Sequence, residues 1–424
     1  MFVTDALLRK SLVICQSLGR KGIPVTAGST TRFSPTFLSK YCHESVLYPH
    51  PRNNPEKFVD FLLDYLHKKK HDVLFPTDDI TLQLCARYRD DFEKVTHVPI
   101  PGQEQVMYGL DKAKIVKILR KLNIPHPQTS LPRTLEQAQL AAVRLGGDVI
   151  IKPRTSSAGR GIAYVKQAHD VAQQWYAIHQ TYPYPMIQQR VPSGTKFDVC
   201  VIMDKRGEAI CSFVQKEIRH FPVVDGLSTV QESVWLPELV EQTVALLREI
   251  GWYGLAEVEY MQNSETGELM FMEINPRFWA SVQLAISSGI DFPAILYQVA
   301  RDQPVPQQHH YTVGLRCRWL FPGDLLHYLT NPKRHEIEPP FFQFRDPNTV
   351  YDGISRDDWR ATLGVFVSFG HYVFDPDLWQ MIFRRRKQHT ASTPPLLFES
   401  SVSDTYDLWD ELGEPNHAPK TPII

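Results

Sequence analysis

The chain has 424 residues, more than one ordinary core organises, so two or three packed domains are expected. Hydrophobic residues make up 43% and charged residues 22%, a balance typical of globular proteins. The formal net charge of -1 provides no global attraction for nucleic acid or for an anionic membrane surface, so neither is an expected partner.

Cysteine spacing and the N-terminal segment narrow the class of protein further. The six cysteines show no C-x-x-C spacing, which argues against a zinc knuckle or a redox dithiol and is typical of reduced thiols. The first apolar stretch is interrupted by Arg9 and Lys10 and does not predict a signal peptide. No run of about 18 apolar residues is present to cross a bilayer. A cytoplasmic location is therefore expected.

The first 110 residues alternate short apolar runs with segments of helical period. Strands are predicted at residues 2–4, 23–27, 46–48 and 73–75, and helices at residues 7–21, 55–69 and 80–88. This alternation predicts a parallel, doubly wound α/β sheet, and such sheets bind ligands beyond the carboxyl ends of their strands. Asp78 and Asp79 follow one such end and are candidates for orienting a substrate.

A second domain is predicted to begin near Asp111, which is suited to be the N-cap of a helix over residues 112–122. Further helices are predicted over residues 135–145 and 237–250, with a strand over 149–152 and antiparallel strands between them. This part of the chain is therefore predicted to be α+β. The region beyond about residue 303 is rich in proline, aromatic residues and histidine, and its pattern predicts no particular fold.

Two loops have the composition of nucleotide-binding segments. Lys152 ends its predicted strand and precedes Pro-Arg-Thr-Ser-Ser-Ala-Gly-Arg-Gly at residues 153–161. Small residues let a loop point several backbone N–H groups at a phosphate, and a lysine adds a point charge. The spacing is not that of a P-loop, and a surface turn is the alternative interpretation. Residues 186–194 could offer backbone groups to an adenine, although a plain strand and turn would account for them as well.

The most informative segment is a predicted β-hairpin over residues 255–275, closed by Glu-Thr-Gly at residues 265–267. Centring the hairpin on Thr266 places Glu259 opposite Glu273 and Glu257 opposite Asn275. The opposite face would carry residues suited to a core, namely Ala256, Val258, Tyr260, Met270, Met272 and Ile274.

The polar face of this hairpin predicts a cation site. Opposed carboxylates repel each other, and a hard cation such as Mg²⁺ or Mn²⁺ removes that repulsion. Arg277, two residues beyond Asn275, would add a fixed positive charge suited to a transferring phosphoryl group. A solvated hairpin face is the alternative.

These segments, in this order, resemble the ATP-grasp superfamily over about residues 1–300, and the hairpin ending in Met-Glu-Ile-Asn-Pro-Arg is the most specific motif. The resemblance implies a Rossmann-like pre-ATP-grasp domain followed by an ATP-grasp fold with an appended C-terminal region. The implied bounds are 1–110 for the first domain, 111–187 and 188–310 for the two ATP-grasp subdomains, and 311–424 for the last region. Residues 275–293 and 313–319 are similar to the carbamoyl-phosphate-synthase-like carboxylate–amine ligases of the stand-alone bacterial type.

The same resemblance assigns roles to individual residues. Arg277 would be the catalytic arginine, and Glu259, Glu273 and Asn275 would be the ligands of Mg²⁺ or Mn²⁺. ATP would be held by two phosphate lysines, a small-residue loop and an adenine hinge, namely Lys112, Lys152, Ser156, Ser157, Gly159, Gly161, Gln188, Gln189 and Val191. Gln189 and Val191 would act through their backbone. Lys196 falls where family members often carry an acid that holds the ribose, so the ribose contact stays open.

The function implied is ATP-dependent activation of a carboxylate as an acyl phosphate, followed by transfer to a nucleophile. An amine is the expected nucleophile, and a thiol is an alternative. Small-molecule carboxylate and amine substrates are the expected partners, with a homodimer as a candidate assembly. Arg316 could also orient substrate, and His220 or His371 could act as a base, although lone histidines are usually structural.

Three other functions compete with this one. A non-catalytic ATP-binding module and a biotin-type carboxylase remain alternatives. A dinucleotide-dependent oxidoreductase is disfavoured, because no G-x-G-x-x-G turn follows the first predicted strand.

Overall fold

The computed structural model describes residues 1–155, 161–223 and 226–373, with side chains described up to residue 367 in the last helix. The chain forms two compact units. Unit 1 contains residues 1–109 and 194–262 together with the described residues from 273 onward. Unit 2 contains residues 110–193 and 263–272.

The strands in chain order are β1 (Phe2–Val3), β2 (Val25–Ser29), β3 (Cys42–Leu47), β4 (Leu74–Phe75), β5 (Thr129–Ser130), β6 (Val149–Lys152), β7 (Ala163–Val165), β8 (Met186–Gln189), β9 (Ser193–Met203), β10 (Ala209–Phe221), β11 (Leu227–Ser233), β12 (Gly254–Asn263), β13 (Leu269–Asn275), β14 (Arg316–Arg318) and β15 (Thr349–Tyr351). The helices are α1 (Arg9–Arg20), α2 (Pro55–Lys68), α3 (Asp79–Arg87), α4 (Arg89–Phe92), α5 (Gln103–Leu110), α6 (Val116–Lys121), α7 (Leu135–Arg144), α8 (Ala168–His179), α9 (Pro237–Glu249), α10 (Val282–Ser288), α11 (Phe292–Ala300), α12 (Leu325–Thr330) and α13 (Trp359–Val373).

The N-terminal sheet of unit 1 has the order β3-β2-β1-β4, and its neighbouring strands pair in parallel, as the strand–helix alternation predicted. The strands β1 and β4 are aligned with Val3 opposite Phe75, so their carboxyl ends lie at the same edge. Helix α3 starts from that edge, where the backbone N–H of Ile80 donates to the carboxylate of Asp78 at 3.2 Å. A mutual capping box with Thr81 fixes this helix start.

Most residues of a seven-stranded sheet of order β13-β12-β9-β10-β11-β14-β15 also belong to unit 1. One of its faces packs against α10 and α11 in a large apolar core that includes Cys200, Phe213 and Cys317. Asp198 lies two residues from Cys200 on β9 and is paired with Gln215 on β10. Because side chains alternate along a strand, this apolar face continues directly into polar side chains.

Unit 2 contains a four-stranded sheet of order β5-β8-β6-β7, in which the pairs are antiparallel. Helices α7 and α8 cover it with buried residues that include Ala141, Val171 and Trp175. The indole N–H of Trp175 donates to the carbonyl of Pro185 at 2.7 Å, which satisfies its only polar atom in the core.

Two local predictions need correction. The helix expected over residues 112–122 is shorter, since α6 spans only Val116–Lys121 and turns precede it. The hairpin loop is also longer than the three residues expected, because β12 ends at Asn263 and β13 begins at Leu269. The Asn263 side chain accepts from the backbone of Glu265 at 2.9 Å, which closes this wider loop.

The region beyond about residue 303, for which the sequence predicted no particular fold, contributes β14, α12, β15 and α13 to unit 1. Asp358 holds it against the N-terminal part of the same unit, accepting from Gln16 Nε2 at 2.9 Å and from the backbone of Lys40 at 3.0 Å. All six cysteines are free thiols, as expected. No helix within the described ranges is long and apolar enough to span a membrane.

Candidate active site

Acidic side chains converge on one face of the seven-stranded sheet in unit 1. Asn275 Nδ2 donates to Glu259 Oε1 at 2.8 Å, so these two predicted metal ligands share that face. Burial raises the pKa of Glu259 well above its usual range, and the charges of Glu273, Glu257 and Glu217 raise it further. Burial likewise raises the pKa of Glu257 to about 7, against the attraction of Arg277. The face is therefore short of positive charge.

Two further acids on this face were not singled out from the sequence. Asp198 is buried, and burial raises its pKa well above normal, with Glu217 adding to the effect. Gln215 Nε2 donates to Asp198 at 2.7 Å and to Ser281 Oγ at 2.9 Å. Glu217 lies 2.5 Å from the Nε2 atom of His220. The sheet order β12-β9-β10 brings these residues beside the hairpin, and a single sequence does not reveal that order.

The donor set fits a hard cation by chemistry. Glu259 and Asn275 present carboxylate and amide oxygens, the ligands that Mg²⁺ and Mn²⁺ take. Within the described ranges, no three or more His, Cys, Asp and Glu side chains are grouped as a metal site. The predicted set of metal ligands consists of two carboxylates, those of Glu259 and Glu273, and one amide, that of Asn275.

Arg277 stands beside the acidic face and is held by Asp79. Its Nε donates to Asp79 Oδ1 at 2.5 Å. Burial opposes the charge of Arg277, but the Asp79 carboxylate more than offsets this, so the pKa of the guanidinium is raised. The terminal nitrogens of Arg277 donate to no described residue.

The other candidates for orienting a substrate are engaged elsewhere. Asp78 caps α3. Arg316 donates from Nε to Glu232 at 2.6 Å and lies within ion-pairing distance of Asp346. The side chain of His371 lies outside the described part of the chain.

In unit 2, three residues predicted from separate segments line one pocket. Lys112, Lys152 and Gln188 surround it together with the apolar side chains of Ile115, Val116, Leu119, Met186, Phe271 and Met272. Gln188 Nε2 donates to Thr129 Oγ1 at 3.1 Å, which orients its amide. Cationic groups beside an apolar lining suit a ligand with a phosphate end and a flat apolar ring.

A buried ion pair that the sequence did not predict organises this pocket. Arg154 forms a two-point pair with Asp111, with Nε at 3.0 Å from Oδ1 and Nη2 bonded to Oδ2. The backbone N–H of Lys112 donates to the carbonyl of Arg154 at 3.0 Å. Asp111 also accepts from the backbone of Ala113 at 3.1 Å, so it supports the start of this segment without capping a helix. This ion pair therefore holds together the two segments that carry the pocket lysines, because Asp111 directly precedes Lys112 and Arg154 lies two residues after Lys152.

The predicted adenine hinge is in part engaged within unit 2. The backbone N–H of Gln189 donates to the carbonyl of Gln128 at 2.8 Å, so it is already used. Val191 is buried, and in the described part of the chain its N–H has no hydrogen-bond acceptor.

Gly161, at the end of the predicted small-residue loop, has a φ of 74°, and a Cβ there would meet Pro153 at 2.6 Å. Ser156, Ser157 and Gly159 lie outside the described residues.

Lys196, the residue at the doubtful ribose position, lies on β9 in unit 1. Its charge favours the ionised form of Glu259. The structure therefore brings Lys196 to the acidic face.

Residues 111–308 match the family model of the carbamoyl-phosphate synthase L chain ATP-binding domain. The carbamoyl phosphate synthase large chain of Pasteurella multocida is 28% identical over 244 residues, which are 54% of this chain and 23% of that relative. The chain thus spans less than a quarter of that relative's length.

Two solved structures are similar in fold. The biotin carboxylase–β,γ-ATP complex from Campylobacter jejuni has a TM-score of 0.64 at 16% identity, covering 74% of each chain. The biotin carboxylase domain dimer of Hydrogenobacter thermophilus 2-oxoglutarate carboxylase, with MgADP, ADP and bicarbonate, has a TM-score of 0.62 at 16% identity, covering 74% of this chain and 73% of that one. At these identities the likeness shows the fold. Residues 111–308 are therefore similar to the ATP-binding domain of the carbamoyl-phosphate synthase L chain, and the chain shares its fold with the two biotin carboxylase structures.

Proposed function

We propose that the protein is a Mg-ATP-dependent ligase that activates a carboxylate as an acyl phosphate and transfers the acyl group to an amine. The observation that carries this proposal is Arg277, held by Asp79 and attracted electrostatically by the acidic residue Glu257. A fixed guanidinium near a cation-demanding face is an arrangement that stabilises charge on a transferring phosphoryl group.

In this mechanism a carboxylate oxygen forms a bond to the γ-phosphorus of ATP as the bond to the β,γ-bridging oxygen breaks, and ADP leaves with that electron pair. Glu259, Glu273 and Asn275 would hold Mg²⁺ or Mn²⁺, which neutralises phosphate charge when bound. Arg277 stabilises the moving phosphoryl group. The amine nitrogen then forms a bond to the acyl carbon and loses a proton, as the bond between that carbon and the phosphate oxygen breaks and phosphate leaves.

Unit 2 is the proposed nucleotide-binding part. Lys112 and Lys152 would contact phosphates, and Gln188 would lie beside the adenine. The N–H of Val191, which no described residue accepts, would donate to the adenine. The contribution of Gln189 would have to come from its carbonyl, because its N–H is occupied by Gln128.

The domain division and the assembly are part of the same proposal. The parallel N-terminal sheet supports a Rossmann-like pre-ATP-grasp domain at residues 1–110. A homodimer is proposed because the Hydrogenobacter domain is a dimer. Residues 111–187 and 188–310 would be the two ATP-grasp subdomains.

The test is phosphate release from ATP, measured with the full chain against a matrix of carboxylates and amines. Bicarbonate and biotin belong in the matrix, because the Hydrogenobacter structure contains bicarbonate and because a biotin-type carboxylase is the main alternative. Phosphate release that requires both a carboxylate and an amine supports the ligase. Release that requires bicarbonate and biotin assigns the alternative, and binding of ATP without release under any pair indicates a non-catalytic module.

A further inference from the structure

Lys10 is a buried lysine of unit 1 that the proposed mechanism does not use. It is the second residue of α1, and only 7% of its surface is exposed. Its Nζ donates to the carbonyl of Phe278 at 2.9 Å. No carboxylate lies within ion-pairing distance of it in the ranges that the structure describes. Burying an ammonium without a counter-ion is costly, so this arrangement needs an explanation.

Arg277 directly precedes Phe278, and the positive charges of Arg277 and Lys10 repel each other. Burial, together with the charge of Arg277, lowers the pKa of Lys10 to about 7. Each side chain has hydrogen-bond donors for which the described part of the chain provides no acceptor. Lys10 uses one donor on Phe278, and Arg277 uses its Nε on Asp79 and none of its terminal nitrogens on any described residue.

The acids that surround Lys10 do not serve as its counter-ions. Asp5 accepts from Thr81 Oγ1 at 2.7 Å, from Tyr48 at 3.0 Å and from the backbone of Asp78 at 3.1 Å. Asp78 caps α3, and Asp79 is bound to Arg277. Their charges favour the ammonium of Lys10 from beyond ion-pairing distance, and they do not neutralise it by contact.

We propose that Lys10 and Arg277 together form the binding subsite for the carboxylate group of the acceptor substrate. An anion placed between two adjacent cations with unused donors removes their mutual repulsion and gives the buried ammonium its counter-ion. Arginine offers two parallel N–H groups to the two oxygens of a carboxylate, and lysine adds a point charge. This inference rests on the proposed function, because it names the group that accepts the phosphoryl.

The experiment measures thermal unfolding of the full chain in sodium acetate, sodium chloride and sodium phosphate at matched ionic strength. Acetate is the probe for a carboxylate, phosphate is the probe for the γ-phosphoryl group, and chloride reports general salt effects. Wild type should be stabilised by acetate beyond chloride, because an anion that binds only the native state raises its stability by mass action. K10M should weaken the affinity derived from the acetate series at least tenfold. K10R, which keeps a charge, should retain part of it.

K21M is the matched control, since Lys21 follows the same helix and its side chain is 49% exposed. It should respond to acetate as wild type does. Equal stabilisation of K10M and wild type, or equal effects of acetate and chloride, would overturn the proposal. A response to phosphate that exceeds the response to acetate would reassign the subsite to the γ-phosphoryl group. Failure of the ligase assay with a positive acetate response would overturn the proposed function and leave a carboxylate-binding subsite without its role in phosphoryl transfer.

Discussion

Arg277 Nε donates to Asp79 Oδ1 at 2.5 Å, which joins the second residue after β13 to the first residue of α3. Both residues were singled out from the sequence, but for different tasks. Asp79 was a candidate for contacting substrate, and the structure instead bonds it to the arginine. The pair fixes one edge of the guanidinium and leaves its terminal nitrogens for a ligand. We infer that Asp79 is a positioning residue.

This pair makes the arginine hard to replace. In R277K the charge is kept, but a single ammonium cannot both bond Asp79 and offer two parallel donors to an oxyanion. We expect the turnover number to fall about 100-fold or more, with the dissociation constant of Mg-ATP changed by less than about threefold. Steady-state phosphate release and calorimetric ATP titration measure the two quantities.

The matched control for this substitution is R316K, because Arg316 is an arginine of the same unit that is paired with Glu232. Its turnover should stay near the wild-type value. A turnover in R277K equal to that of wild type would remove the catalytic role of Arg277.

The acidic face predicts that stability falls as pH rises in the absence of metal. Glu257 has an ordinary pKa of 4.5 and a folded-state pKa of about 7, so the native state binds a proton that the unfolded state has lost between these values. Stability is therefore highest below about pH 4.5 for this group and declines through pH 7, by at most about 3 kcal/mol. Urea unfolding in EDTA at pH 5 and pH 8 should show a smaller decline for E257Q than for wild type. Equal declines in the free energy of unfolding would mean that the loss of a proton from Glu257 does not destabilise the native state.

Much of the site could be predicted because it lies on segments with strong local signals. The alternation of β12 and β13 indicated a shared face, and the contact between Asn275 and Glu259 agrees with it. Likewise Val149–Lys152 is observed with the predicted bounds, since a short run of apolar residues ended by a lysine leaves few alternatives.

The missed residues depend on contacts distant in sequence. Asp198 reaches the acidic face because β9 lies beside β12 in the sheet, and Lys10 contacts Phe278, which is 268 positions away in sequence. Asp111 was interpreted as a helix cap because its neighbours favour a helix. The buried guanidinium of Arg154 competes for the same carboxylate, and nothing local in the sequence reports that partner.

The pair of Asp111 and Arg154 predicts a large effect from a small change. D111N removes the charge and leaves the buried Arg154 without its counter-ion, which should destabilise the fold by about 3–5 kcal/mol. The matched control is D148N, since Asp148 and Arg190 form an exposed pair in the same unit with side chains 52% and 38% exposed. Its cost should be at most about 1 kcal/mol. Denaturant unfolding compares the two, and similar small losses would show that Arg154 is not held by Asp111.

The last prediction separates stability from function at Glu273. Glu273 is the largest charged contributor to the raised pKa of Glu259, so the two carboxylates repel each other when no cation is bound. E273Q keeps the side-chain shape and removes that repulsion, so melting in EDTA should be unchanged or shifted upward. With Mg-ATP the same change deletes a charged ligand, so the mutant should gain less stability than wild type and should lose activity. E265Q, at an exposed glutamate of the same hairpin loop, should behave as wild type in both conditions. A mutant that melts clearly lower in EDTA would mean that Glu273 holds the fold through another partner, and equal gains from Mg-ATP would remove it from the metal site.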